Sequence, residues 1–220
     1  MDRPHVTLKL ATSLDGRIAT ASGQSKWITG EAARAEVHKL RAAAAVVMIG
    51  AGTARADDPS LLPQKEPPAT TLPARVVITS AFDIPFEGKL FAHLDRSPLI
   101  VFGCQWRGTA RQATLEGAGA RVEAAPALDE GLDMAAVLAR LREIAPGPVL
   151  AEGGGGLAAT LVTQGLVDRL EWFRAPILLG AEGRPAVAAL ALAQLAEAPK
   201  WRRVAVRELG PDLWESYERV

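Results

Sequence analysis

Apolar and polar positions follow two periods in this chain, and the switches between them mark its elements. Residues 5–10 alternate, with Val6, Leu8 and Leu10 on one side, the pattern of a half-buried strand. Residues 46–49, 75–79 and 98–102 are short, mainly apolar runs that read as buried strands. Between strands the period lengthens. Ala33, Val37, Leu40 and Ala44 form one stripe of a helix over about 31–44, with Thr29 as its candidate N-cap. Met134, Val137, Leu138 and Leu141 do the same within 132–144. Residues 109–116 suggest a further helix and 121–123 a short strand, whereas 62–72 hold several prolines and read as a surface loop. Residues 167–177 read as a strand with a polar side, closed by Leu179-Gly180, and 185–198 as irregular turns or a short helix. Residues 201–208 and 214–220 alternate again and predict an antiparallel closing pair. Strands alternating with helices predict one α/β domain over 1–220, with a mostly parallel sheet flanked by helices and antiparallel C-terminal strands.

Composition narrows the function classes. Lys and Arg number 25 and so do Asp and Glu, so nothing argues for a nucleic-acid partner or an acidic membrane surface. No apolar run reaches membrane-spanning length, and Met-Asp-Arg-Pro-His is no signal peptide. The single Cys104 forms no intrachain disulfide, which fits a reducing cytoplasm, and neither it nor three scattered histidines predict a metal site.

The candidate chemistry centres on Val149-Leu-Ala-Glu-Gly-Gly-Gly-Gly-Leu-Ala-Ala-Thr-Leu-Val162. A break at Gly147-Pro148 and an apolar run predict a strand; Leu157, Leu161 and Val162 recur at helical spacing. Four glycines between strand and helix leave backbone amides at a positive helix terminus, which suits a phosphate or diphosphate; the plain alternative is a flexible turn. Leu157 stands where a P-loop needs Lys. Glu152 at the strand's exit faces whatever binds there. A second strand-to-Gly-x-Gly junction follows residue 49, with Thr53 as cap or phosphate ligand, and Pro59 ends the helical turn at Asp57-Asp58. Ser13 and Asp15 at a strand end suit either a ligand or turn chemistry. Trp27 is by default a core anchor, otherwise a ring laid against a flat ligand. Arg34, Lys39 and Arg41 lie off the apolar stripe, as a solvated face or as phosphate contacts.

Four segments together resemble one family: Leu8-Lys-Leu-Ala-Thr-Ser-Leu-Asp-Gly-Arg17, Ser25-Lys-Trp-Ile-Thr29, Gly50-Ala-Gly-Thr-Ala-Arg-Ala-Asp-Asp-Pro59, and Glu152-Gly-Gly-Gly-Gly156 with Leu166-Val-Asp168 and Ala175-Pro176 behind it. They are similar to the reductase domain of bacterial riboflavin biosynthesis, often fused behind a zinc-dependent pyrimidine deaminase. The resemblance implies a dihydrofolate-reductase-like fold, a homodimer, and NADPH as hydride donor. The implied reaction reduces the ribosyl group of 5-amino-6-(5-phosphoribosylamino)uracil to its ribitylamino product. The deaminase's Cys/His zinc motif does not occur in these 220 residues, so the deamination step is not expected.

Carried over by position, the resemblance implies cofactor contacts at Trp27, Thr53, Asp57 and Ser80. It implies diphosphate contacts at the amides of Gly154, Gly155, Gly156, Leu157, Ala158, Ala159 and Thr160. It implies substrate contacts at Ser25, Arg41, Leu61 and Glu152, with Arg41 on the ribose phosphate. Hydride transfer needs no protein nucleophile, so the catalytic candidates are proton donors: Lys9, Asp15 and Glu152, or a bound water.

Two positions depart from the family pattern. Gln64 stands where family members carry Arg, removing a charge-assisted contact of about 1.5–3 kcal/mol to phosphate. Thr79-Ser-Ala-Phe-Asp83 replaces an Asp-and-Arg pattern tied to NADPH over NADH. They leave open an NAD(P)H-dependent reductase of another carbonyl, imine or pterin-like substrate; a non-catalytic nucleotide-binding protein is the remaining alternative.

Overall fold

The computed structural model describes residues 3–64, 72–104, 109–128 and 131–220. In chain order the elements are β1 (Val6–Thr12), β2 (Arg17–Ala19), α1 (Glu31–Ala43), β3 (Val46–Gly50), α2 (Ala51–Asp57), β4 (Ala74–Ile78), β5 (Leu99–Cys104), α3 (Thr109–Gly117), β6 (Arg121–Ala125), β7 (Ala127–Leu128), β8 (Gly131–Leu132), α4 (Met134–Ile144), β9 (Val149–Glu152), α5 (Gly155–Thr163), β10 (Arg169–Arg174), β11 (Arg184–Pro185), β12 (Trp201–Leu209) and β13 (Asp212–Arg219). They sort into two compact units, each built from two separate stretches: Met1–His5 with His38–Ala151, and Val6–Val37 with Glu152–Val220.

The first unit carries five parallel strands in the order β9-β3-β4-β5-β6. Its central strand β3 is apolar because both faces are covered: Val46, Val47, Met48 and Ile49 have no exposed surface. One face packs Val47, Ile49, Val77 and Val101 with Phe82, Leu115 and Leu61. The α4 helix begins where its sequence pattern does, and Asp133 caps it by accepting from the Ala136 amide at 3.1 Å. The α2 helix ends at Asp57; Asp58, at φ 40°, leaves it, and the following Pro59 disfavours its continuation. Thr53 is the third residue of that helix, so the expectation that it caps it gives way to Gly50.

The second unit pairs β1 parallel to β10, and β10 antiparallel to β13, which pairs antiparallel with β12. A small ladder joins β2 to β11. The expected mostly parallel α/β architecture with antiparallel C-terminal strands is present. Several expectations are corrected. The strand placed at 167–177 is confined to β10: the Ala175 amide makes a last bond, to the Thr12 carbonyl, and Pro176 has no amide to continue. Residues 185–198 are irregular as expected, leaving β11 after Pro185 and holding a 3-10 turn at Leu195–Glu197. The short pairs β2–β11 and β7–β8 were not expected; two or three residues carry no readable period. Gly30, not Thr29, takes the cap position of α1, since its carbonyl accepts from the Arg34 amide at 3.2 Å. Part of the proline-rich loop at 62–72 lies outside the described residues.

Candidate functional site

The second unit carries the glycine junction. Strand β9 delivers Glu152, 5% exposed, to its C-terminal end. Gly153 and Gly154 follow at φ of 76° and 24°, a left-handed reversal that a side chain would strain. The first helical bond of α5 runs from the Ala158 amide to the Gly154 carbonyl at 3.3 Å. The amides of Gly154, Gly155, Gly156 and Leu157 therefore have no acceptor within the helix and lie at its positive end. This narrows the expected diphosphate contacts. Ala158 spends its amide inside the helix, and Ala159 and Thr160 lie beyond the first turn. The side chains of Leu157, Ala158 and Ala159 are buried, and the Thr160 hydroxyl donates to the Gly156 carbonyl at 3.0 Å. The two middle glycines differ in surroundings. A Cβ on Gly155 would stand 2.5 Å from the Pro185 carbonyl oxygen, whereas one on Gly156 would meet nothing within 4 Å. One side of the turn is thus walled and the other open.

The proton-donor candidates separate. Asp15 accepts from the Ser13 hydroxyl at 2.6 Å and from the Leu179 and Gly180 amides at 3.1 and 2.8 Å. These bonds, the Ser13 hydroxyl's first, pull its pKa down to about 2. Asp15 is therefore a carboxylate at neutral pH with no proton to deliver, and the donor role expected of it gives way to a structural one. Lys9 is half-buried on β1, its ammonium 5.9 Å from the centroid of the Phe173 ring. Phe173 stacks on Trp214 at 5.2 Å, and the Arg207 guanidinium lies 4.9 Å over Trp214. Beside this row, buried Glu171 accepts from Trp214 Nε1 and the Ser216 hydroxyl and pairs with Arg169. Lys9 thus stands in a cation–aromatic row across the sheet, held beside a buried carboxylate strand-mate.

Trp27 is 71% exposed, so the default reading of a core anchor is wrong. Arg34 lies over one face of its ring at 4.5 Å and also donates to the Thr29 carbonyl at 2.9 Å. An open cleft of about 360 Å³ adjoins it, lined by Thr29, Arg34, Pro176, Ile177 and Asp212 among others. Half-buried Ser25 precedes it in the same loop. Asp212 fixes the cleft's floor by accepting from the Gly30 amide at 2.7 Å. The sequence offers Arg34 as part of a solvated face or as a phosphate contact, not as a ring partner, and Asp212, 182 residues from its partner, leaves no local signal.

The first unit holds the remaining expected positions. Arg41 lies in the last turn of α1, Thr53 and Asp57 on α2, and exposed Ser80 just beyond β4. Leu61 is 1% exposed and packs among Phe82, Ile84 and Leu90, so a substrate contact by its side chain is excluded. Gln64 is exposed, and its backbone amide donates to His38 Nδ1 at 3.1 Å. Beyond β4, Asp83 accepts from the Thr79 hydroxyl and pairs with Arg55 at 2.6 Å. Among the described residues no group of His, Cys, Asp and Glu could hold a metal ion, and no helix is long and apolar enough to cross a membrane.

Comparison with known proteins places this arrangement. Residues 4–214 match the RibD C-terminal domain family. The riboflavin biosynthesis protein RibD of Bacillus amyloliquefaciens is 31% identical over 211 residues, 96% of this chain and 56% of that protein. The structure of Acinetobacter baumannii RibD superposes with a TM-score of 0.85 at 28% identity, covering 100% of this chain and 59% of that one. A Thermotoga maritima protein described as a diaminohydroxyphosphoribosylaminopyrimidine deaminase/5-amino-6-(5-phosphoribosylamino)uracil reductase does so with a TM-score of 0.78 at 25% identity, over 99% of this chain and 57% of that one. The chain thus spans somewhat over half the length of the curated relatives it matches. It belongs to the RibD C-terminal domain family.

Proposed function

We propose that this chain is a single NADPH-dependent reductase domain acting on 5-amino-6-(5-phosphoribosylamino)uracil, whose ribosyl group it reduces to the ribityl chain. The observation that carries the reading is the first turn of α5. Four unshared amides lie at a positive helix end, with Gly156 open beside them, and this cradle fits the diphosphate of a pyridine nucleotide. Family membership supports the substrate, as does the activity in the description of the Thermotoga protein. Trp27, Thr53, Asp57 and Ser80 are the further cofactor contacts, and Ser25, Arg41 and Glu152 the substrate contacts.

The cofactor, when bound, supplies the hydride. The chain's own work is to bind, orient and manage one proton. With Asp15 ionised, Glu152 and Lys9 remain as donors. Glu152 is the better placed, since it stands at the end of β9 directly before the glycine turn. Arg41 supplies a planar fork for the substrate's phosphate. The domain is proposed to work as a cytoplasmic homodimer; the family supports the dimer, and a free, buried Cys104 fits the compartment.

The test is NADPH oxidation with this substrate by the wild type and by Glu152→Gln. The wild type is expected to turn over, and the variant to lose about 10²–10⁴-fold in kcat with its cofactor Kd kept within about threefold. Wild type that binds NADPH without oxidising it in the presence of the substrate would refute the assignment.

One observation favours a second reading, a reductase of an unphosphorylated carbonyl or imine. Gln64 is exposed where the family carries Arg. If the substrate is phosphorylated, Gln64→Arg is expected to lower its KM about tenfold or more. An unchanged KM would favour the second reading.

A further inference from the structure

The segment between β10 and β12 is tied down by contacts that the reductase reading does not use. Asp15 clasps its start through the Leu179 and Gly180 amides, while the Leu14 amide donates to the Ile177 carbonyl at 2.7 Å. The Ser13 hydroxyl orients the carboxylate, donating to it at 2.6 Å while accepting from the Arg17 amide at 2.9 Å. Further along, the Ala186 amide donates to the Gly16 carbonyl at 3.0 Å and β11 pairs with β2. The segment then reaches α5: the Ala188 amide donates to the Gly155 carbonyl at 3.0 Å. This contact makes the wall on the Gly155 side of the anion cradle.

The geometry points to Asp15 as a positioning residue that, by clasping residues 179–188 as a strap, sets the wall of the α5 first turn and so its fit to the cofactor's diphosphate. The inference rests on the cofactor reading of that turn. Asp15 acts through the strap and not on the reacting atoms. Its two oxygens are spent on main-chain donors, which an ionised carboxylate satisfies together and an amide does not.

The decisive variant is Asp15→Asn, isosteric but with one acceptor oxygen. It is expected to raise the NADPH Kd and KM about tenfold, to lower kcat at saturating NADPH by no more than about threefold, and to leave the pH profile of kcat in place. Hydrogen exchange at the Leu179, Gly180 and Ala188 amides should quicken. An unchanged Kd overturns the inference. So does a kcat loss of about 10²-fold or more at unchanged Kd, which marks a proton donor. If circular dichroism shows that the variant does not fold, Ser13→Ala takes its place, with a smaller rise in Kd and faster exchange at Leu179 and Gly180 expected, and no change in either overturning. A wild type that binds no NADPH sinks the cofactor reading and this inference together, whereas equal binding by wild type and variant sinks this inference alone.

Discussion

Asp15 and Glu152 are both carboxyl groups near strand ends, and their surroundings differ. Asp15 is exposed but saturated with donors, while Glu152 is buried. The Asp15 pKa of about 2 lies below its ordinary value of 3.8, so the clasp contributes stability that is fully present above about pH 4. That contribution is lost as pH falls toward 2. The melting-temperature gap between wild type and Asp15→Asn should therefore be constant near neutrality and close between about pH 4 and pH 2. A gap that widens on acidification would contradict the assignment. The Ser-Leu-Asp-Gly motif marked this residue as special, but its partners at 179 and 180 are 164 and 165 positions away, and no local pattern distinguishes a main-chain clasp from an acid. Trp27 was misread for a related reason. An isolated Trp is most often buried; here one ring face meets Arg34, a charge that looks like any other on the polar face of α1.

At the scale of elements, two glycines do steric work that the sequence only hints at. Gly103 on β5 packs against Phe82, where a Cβ would stand 2.4 Å from the ring. Phe82 is fully buried, so Gly103→Ala should cost about 1–3 kcal/mol, read as a lowered denaturant midpoint at unchanged m. At Gly155 the obstructing atom is the Pro185 carbonyl, part of the main chain, and cannot swing aside. Gly155→Ala should accordingly displace the strap and weaken NADPH binding, whereas Gly156→Ala, with open space around it, should fold with near-wild-type stability. The long elements were legible because their burial is one-sided or complete: α4 follows its apolar stripe, and β3, β4 and β5 are continuous buried runs. Fully buried Arg75 on β4 departs from that rule. Its guanidinium donates to the Ser97 and Lys89 carbonyls, a role no periodicity can show. Arg75→Met is expected to lower stability by about 1–3 kcal/mol, through the donors lost to the Ser97 and Lys89 carbonyls, of which the Lys89 carbonyl keeps the Ala92 amide.

At the scale of the whole molecule, the chain visits its two compact units alternately, and each is completed by contacts between distant stretches. The Val149 amide donates to the His5 carbonyl in the first unit, and the Val6 amide to the Asp168 carboxylate in the second. Sequence order alone does not reveal such interleaving, which is why the reading reached the architecture and not the partition. The family became legible through spacing across four motifs, more information than any single glycine loop carries. Which amides of the α5 turn are available became legible only with the helix start in view. The central claim is that this chain directs a hydride from a nicotinamide ring to a sugar carbon. It is tested most directly by supplying NADPH deuterated at the transferring position of the ring together with 5-amino-6-(5-phosphoribosylamino)uracil, and locating the label by mass spectrometry. Deuterium on the ribityl chain of the product is predicted; product formed without label, or label retained entirely on the nicotinamide while the substrate stays unreduced, would contradict the account.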